Sequence, residues 1–332
     1  MKDWKIFLRE GEPHDRLTEL PDPPPWRFSR PPGPLVPPVW PADYRDREKV
    51  RAAPFIPSEA METAVNAALY LRRPLLITGK PGTGKSTLIA KVAYQLGLGP
   101  VIRWPIGSRS TVRGGIYEYD AVGRLQAGKD VEPPVESYLK LGPLGTALNA
   151  QTWPRPLLID EIDKSDLDFA NDLLNVIEEG ECEIPELHRL KQPQAEVLDC
   201  LGEPVIIKGG KIRCGQFPFV VMTSNGEREF PPPFLRRCVR LKIEPPEIDE
   251  LTAIVHSHLE RYPDALRSAD IADLIGAFLM KRTENAEVAT DQLLNAVFLT
   301  VAMRDPVERT FSEKELKALR DDLLRPLTGT TA

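Results

Sequence analysis

Cysteine is scarce in this 332-residue chain, and the four present, Cys182, Cys200, Cys214 and Cys238, form no CxxC pair. Structural zinc sites and small disulfide frameworks draw on closely spaced cysteines, so these four read as reduced core or surface thiols. Histidine is equally sparse. His256 and His258 stand two apart in IVHSHL, a stretch of helical spacing, and therefore on different faces, which argues against a metal pair. Long apolar runs are missing as well. Nothing approaches the ~18 consecutive apolar residues of a membrane helix, and the charged opening MKDWKIFLREGE carries no apolar segment of signal length. The expectation is a cytoplasmic protein with no membrane span. A net charge of -6 gives no broad footprint for nucleic acid and leaves only a local patch as a route to one. The length, with 42% hydrophobic and 28% charged residues, suits a soluble chain of two domains with substantial cores.

Proline, by contrast, is concentrated in one place. Twelve prolines lie between Pro21 and Pro57, in runs such as PDPPPW and PPGPLVPPVW. Proline fixes φ and removes an amide donor, so this stretch is expected to hold neither helix nor central strand. Residues 1–57 read as an extended, proline-rich N-terminal arm. Trp26, Phe28, Trp40 and Tyr44 give it more aromatic surface than a free linker carries, so it is expected to pack on its own or a neighbouring domain.

From Ser58 the pattern changes. SEAMETAVNAALYL predicts a helix capped by Ser58, with Met61, Val65, Ala68 and Leu69 on one face. PLLIT, VIRWPI (101–106), PLLID (156–160) and FVVMTSN (219–225) are short apolar runs of the kind buried in a parallel sheet. Between the first two, GKSTLIAKVAYQLG places Leu88, Ile89, Val92, Ala93 and Leu96 on one stripe that stops at Gly97. Strands alternating with helices indicate an α/β fold, a parallel sheet flanked by helices, over residues 58–246. Past Pro246 strand signals vanish. EIDELTAIVHSHL, IADLIGAFLM and TDQLLNAVFLTVAM carry helical periodicity, and a last helix opens with a Ser312–Glu315 capping box behind Phe311. Residues 247–332 are expected to form a small all-α domain.

Residues 79–86 read GKPGTGKS, the GxxxxGK[ST] phosphate loop, between a buried strand and an amphipathic helix as that motif requires. Gly82 and Gly84 let several amides face a β-phosphate, and the helix N-terminus adds positive potential. Lys85 would reach the β- and γ-phosphates and the Ser86 hydroxyl would ligate Mg²⁺. Gly79, Pro81, Gly82, Thr83, Gly84, Lys85, Ser86 and Thr87 are the candidate ATP-binding residues. LLIDEID (157–163) ends a strand in adjacent carboxylates. Asp160 would hold Mg²⁺ and Glu161 would activate the attacking water. The NKxD of guanine-specific proteins and the LSGGQ of transporter-type ATPases are both absent.

With GKPGTGKS, LLIDE, a strand ending at Asn225, an arginine pair before the next strand and a helical tail, the chain resembles the AAA+ superfamily, and within it the MoxR-type ATPases of bacteria. The likeness is carried by RPLLITGKPGTGKST, IYEYDAVGRLQ, LKLGPLGTAL, LLIDEIDKSDLDFANDLLNVIEEGECEIPEL and FVVMTSNGEREFPPPFLRRCV. It covers about residues 55–245 strongly and the tail only generally, while the first fifty residues match nothing recognised. The resemblance implies a P-loop AAA+ core with a helical lid, binding ATP and Mg²⁺ and hydrolysing ATP. It implies that Asn225 is the sensor that helps to place the lytic water. Arg236 and Arg237 fit the arginine sent into a neighbour's γ-phosphate, with Arg237 the favoured finger and Arg236 acting with it. An in-trans finger requires oligomers, with a hexameric ring the expected form. The stretches around 107–150 and 182–217 match inserts that face substrate in similar proteins, and KGGK (208–211) reads as a hairpin turn.

One departure matters. AAA+ lids often place an arginine early in a helix over the nucleotide, whereas ENAEVATDQLLNAV has none, and Lys281 and Arg282 just upstream are the nearby basic residues. No second sensor is assigned. The leading function is an ATP-driven protein remodeller or chaperone acting with a separate partner bearing a von Willebrand factor A domain. The alternative is a nucleic-acid-stimulated motor of a restriction or defence system, for which Arg109, Arg113, Arg124 and Lys129 on the inserts make a thin case.

Overall fold

The computed structural model describes residues 4–27, 33–126, 134–190, 193–259, 269–283, 288–302 and 313–325. Phe28, Lys129, Phe311 and Ser312, with its capping box, lie outside them. The chain divides into two compact units. The first comprises residues 1–52, 57–78 and 86–242, and the second residues 53–56, 79–85 and 243–332.

In the first unit, four apolar runs and a fifth strand become a parallel sheet of β1 (Leu75–Thr78), β2 (Ile102–Pro105), β5 (Pro156–Asp160), β10 (Phe219–Ser224) and β11 (Val239–Lys242), in the order β11-β1-β10-β5-β2. Every residue of β10 is buried, as a central strand covered on both faces demands. Helix α2 (Glu59–Leu71) starts where Ser58 accepts a hydrogen bond from Met61 N, and its Met61, Val65, Ala68 and Leu69 are buried. Helix α3 (Lys85–Gln95) buries Leu88, Ile89, Val92 and Ala93. Strand residues Leu157, Ile159, Val220 and Met222 share one apolar cluster with Leu173, Leu174 and Ile177 of the helix Leu167–Glu179.

The inserts build a second sheet that periodicity did not announce. Among the described residues it holds β3 (Tyr117–Tyr119), β4 (Leu139–Leu141), β6 (Glu181–Glu183), β7 (Gln194–Leu198), β8 (Pro204–Lys208) and β9 (Lys211–Arg213), in the order β3-β4-β7-β8-β9-β6. Lys208 pairs with Lys211 across Gly209–Gly210, so KGGK is the turn of a hairpin.

The arm departs from expectation in one respect. A helix, α1 (Ala42–Ala52), forms inside the stretch read as excluding helix. The reason lies in the spacing of the prolines. None falls between Pro41 and Pro54, and Pro41, directly before the first helical residue, removes only an amide that a helix start leaves unbonded anyway. Residues 6–8 of the arm are fastened by buried amides. Asn66 Oδ1 accepts from the main-chain N–H of Ile6 and Phe7 (2.7 and 2.9 Å), and Gln95 Oε1 accepts from Leu8 N (2.8 Å). Phe7 is fully buried in consequence. All four cysteines are free thiols, and burial pushes those of Cys182, Cys214 and Cys238 up to about 12, which keeps them protonated and unreactive.

The second unit is helical in its C-terminal part, with helices Ile248–His258, Ala269–Thr283, Thr290–Ala302 and Glu313–Leu323 around Leu251, Val255, Phe278, Leu293 and Val297. Among the described residues no helix is long and apolar enough to cross a membrane.

Candidate active site

The carboxylate end of β5 is where the predicted chemistry gathers in the first unit. The Ser86 hydroxyl donates to Asp160 Oδ1 at 2.9 Å, so the residue after the loop lysine and the last residue of β5 present their oxygens together. An alcohol beside a carboxylate is the hard-oxygen pair that Mg²⁺ selects, and the donor set fits that ion. Asp160 Oδ1 also receives the Thr223 hydroxyl, whose oxygen in turn accepts the Glu161 N–H at 2.9 Å. Thr223 is buried in β10, so one side chain fixes both the carboxylate and the backbone of its neighbour. Sequence reading missed it. A polar residue inside the apolar run FVVMTSN was the available signal.

Glu161 sits in the left-handed region, at φ 59° and ψ 49°, a conformation costly for a residue with a Cβ and kept only where its surroundings impose it. The turn places its carboxylate at the surface, about 40% exposed and 2.6 Å from Lys164 Nζ. The hydrogen bond to Glu161 holds the Lys164 ammonium above its ordinary pKa. Asp163, buried at 4% exposure, accepts the N–H groups of Asn225 (2.9 Å) and Glu227 (3.1 Å). The segment after β10, with Asn225 at its head, is thereby tied to the segment after β5. This is a second contact that the sequence did not disclose.

Helix Leu167–Glu179 receives Arg237, whose Nη1 donates to Asn175 Oδ1 (2.9 Å) and whose Nε lies 3.3 Å from Glu178 Oε2. Arg236 is exposed, and its carbonyl accepts from Arg73 Nη1. The two arginines therefore differ: one guanidinium is held on its own chain, the other projects outward.

The loop Gly79–Lys85 belongs to the second unit. Gly82 has φ +74°, and a Cβ there would stand 2.6 Å from the Ala289 Cβ and 3.0 Å from Thr290 N, so glycine is required on both grounds. The loop is thus packed against the start of helix Thr290–Ala302, and Gly84 (φ +81°) packs on the Phe55 ring. Lys85 Nζ donates to the carbonyls of Gly79 (2.6 Å) and Lys80 (2.9 Å), which folds the ammonium over the loop. A glycine cradle with an ammonium above it fits a polyphosphate. Within the same unit Lys281 Nζ donates to Leu324 O and Arg282 Nη1 to Pro246 O, so both basic residues near the missing lid arginine are engaged with main-chain carbonyls.

Residues 74–238 match the family model of the AAA domain, dynein-related subfamily. Over these residues the chain is similar to AAA domains, and its five-stranded parallel sheet flanked by helices is the fold expected of them. No curated protein matches the chain. Thr223→Val keeps the shape of the side chain but removes the bridge between Asp160 and the Glu161 N–H. Turnover is expected to fall about tenfold with little change in ATP affinity, the loss of one to two hydrogen bonds' worth of positioning. Separate determination of kcat and KM checks this, and a change confined to KM would refute the positioning role.

Proposed function

We propose that the chain binds ATP with Mg²⁺ and hydrolyses it as a homo-oligomeric ring that remodels a partner protein, in the manner of MoxR-type ATPases. The observation that carries this reading is the Ser86–Asp160 contact at 2.9 Å, which unites the phosphate-loop hydroxyl with the strand-end carboxylate next to Glu161. Gly79, Pro81, Gly82, Thr83, Gly84, Lys85, Ser86 and Thr87 hold the triphosphate, and Ser86 and Asp160 hold the metal. Mg²⁺, when bound, supplies charge neutralisation at the phosphate oxygens. Glu161 accepts a proton from the attacking water, and Asn225, anchored through its backbone to Asp163, helps to place that water. Residues 58–246 serve as the nucleotide-binding domain, 247–332 as its lid and 1–57 as an arm. A partner with a von Willebrand factor A domain, supplied by another protein, completes the machine.

Arg237 acts as the finger in the neighbouring subunit's site, oriented by Asn175 and Glu178, and Arg236 supports it. Turnover by Arg237→Ala is expected to fall at least 10³-fold, the scale of a lost arginine finger, with ATP affinity nearly intact. Mixing Arg237→Ala with Glu161→Gln subunits is expected to restore part of the activity, because some interfaces then combine an intact Glu161 with an intact Arg237. Phosphate release from the mixture is the measurement. No recovery, or a turnover loss in Arg236→Ala with none in Arg237→Ala, would move the finger away from Arg237.

A further inference from the structure

The arm touches the environment of Arg237 through one carboxylate. In PDPPPWR the Arg27 N–H donates to the Pro24 carbonyl at 2.8 Å, and Pro25, second in this turn, brings the fixed φ that the position favours. The turn presents the Arg27 side chain to the C-terminal end of α2. Helix ends leave carbonyls open and favour positive charge. Arg27 answers both conditions, with Nε and Nη2 donating to the Arg72 carbonyl at 3.1 and 2.6 Å. The guanidinium also lies 5.0 Å over the Phe217 ring, and its side chain is only 6% exposed. Held in these ways, it is a fixed point of the first unit.

The third nitrogen, Nη1, donates to Glu178 Oε1 at 3.5 Å. The other oxygen of that carboxylate, Oε2, lies 3.3 Å from Arg237 Nε. Glu178 therefore bridges two guanidiniums, one buried in the arm and the other 28% exposed and held besides by Asn175. Burial pulls Arg27 below its ordinary pKa, and the Glu178 carboxylate is the foremost group offsetting this. Arg73 is also within electrostatic reach of Arg27, but its Nη1 is committed to the Arg236 carbonyl. A glutamate on a half-exposed helix face has several rotamers open to it, and a fixed cation on one oxygen selects among them. The rotamer selected for Glu178 sets where Arg237 Nε is held. All of these residues belong to the first unit.

We infer that Arg27 is a positioning residue for the finger. Through Glu178 the docked arm sets the direction of Arg237, and so the turnover of the neighbouring subunit's site, while its own subunit's site is unaffected. This rests on the reading of Arg237 as a finger acting in trans.

The test uses the full chain with two replacements at residue 27. Lysine keeps the positive charge beside Glu178 and glutamine removes it, while both give up the paired hydrogen bonds to Arg72 O. A role confined to fastening the arm would therefore affect the two alike. Arg27→Gln is expected to lower turnover about tenfold with ATP affinity unchanged, and Arg27→Lys to stay within about threefold of the unaltered protein. The loss is smaller than that of removing the finger because Asn175 still holds Arg237. Mixed with Glu161→Gln subunits, Arg27→Gln is expected to regain part of its turnover, since its own site is sound and the added subunits bring intact fingers. Mixed with Arg237→Ala subunits it is expected to regain nothing. Glu178→Gln cuts the same link from the other side and leaves Arg27 on Arg72, so it carries the test should Arg27→Gln lose its cooperative thermal transition. Its turnover is expected to fall and to recover in the same mixture. Normal turnover in Arg27→Gln or Glu178→Gln, equal losses in the lysine and glutamine variants, or no recovery with Glu161→Gln would overturn the proposal while Arg237→Ala still complements Glu161→Gln. If that last pair shows no recovery, the finger assignment itself fails and the positioning role falls with it.

Discussion

Glu161→Gln is expected to lower ATP turnover on the order of 10²–10³-fold while ATP still binds, the scale of losing a positioned general base. Glutamine has the shape of glutamate and can orient a water molecule, but it cannot take the proton that the water must lose. The substitution leaves the local structure intact for identifiable reasons. The left-handed turn at Glu161 is fixed by its own N–H on Thr223 and by the carboxylate of Asp160, neither of which involves the Glu161 side chain. The ion pair lost with Lys164 joins two side chains that are about 40% exposed, a setting in which such pairs contribute little. Multiple-turnover phosphate release, set against equilibrium binding of ATP, separates the two effects. Assemblies bearing uncut ATP are expected to persist on size exclusion, and a variant that turns over normally would remove Glu161 from the role of base.

The parts legible in the sequence are those where chemistry leaves few choices. A phosphate loop needs glycines at set positions, a lysine and a hydroxyl, and it must lie between a strand and a helix. Leu75–Thr78 and Lys85–Gln95 flank it accordingly. The all-buried run Phe219–Ser224 likewise has no alternative to a central strand. What escaped reading depends on contacts distant in sequence. Strands of three residues such as Tyr117–Tyr119, Leu139–Leu141 and Glu181–Glu183 are too short to show alternation, and they exist because neighbouring strands supply their hydrogen bonds. In the sequence Thr223 lies inside the strand run FVVMTSN and Asp163 closes LLIDEID. Their importance comes from partners about sixty positions away, at Asp160 and Asn225. The helix Ala42–Ala52 was concealed by averaging over a proline-rich region, when the proline-free interval inside it was the informative unit. The anchoring of the arm on Asn66 and Gln95 could not be read either, because a buried amide in an amphipathic helix has no signature of its own.

Lys85→Ala is expected to weaken ATP binding by about 100-fold or more, since the ammonium contributes charge-assisted hydrogen bonds of about 1.5–3 kcal/mol each to phosphate oxygens. Lys85 is 7% exposed, and its ammonium bonds the Gly79 and Lys80 carbonyls, which hold it over the loop. Alanine favours a helix start at least as well as lysine, and α3 should persist. Linkage then provides a measurement that does not depend on hydrolysis. At an ATP concentration about 100 times the unaltered Kd, binding stabilises the native state by about 2.7 kcal/mol, and a 100-fold weaker site reduces this to about 0.4 kcal/mol by the same relation. Thermal unfolding with and without Mg²⁺ and ATP should show a clear rise in Tm for the unaltered protein and almost none for Lys85→Ala. Equal rises in both would mean that Lys85 is not what holds the phosphates.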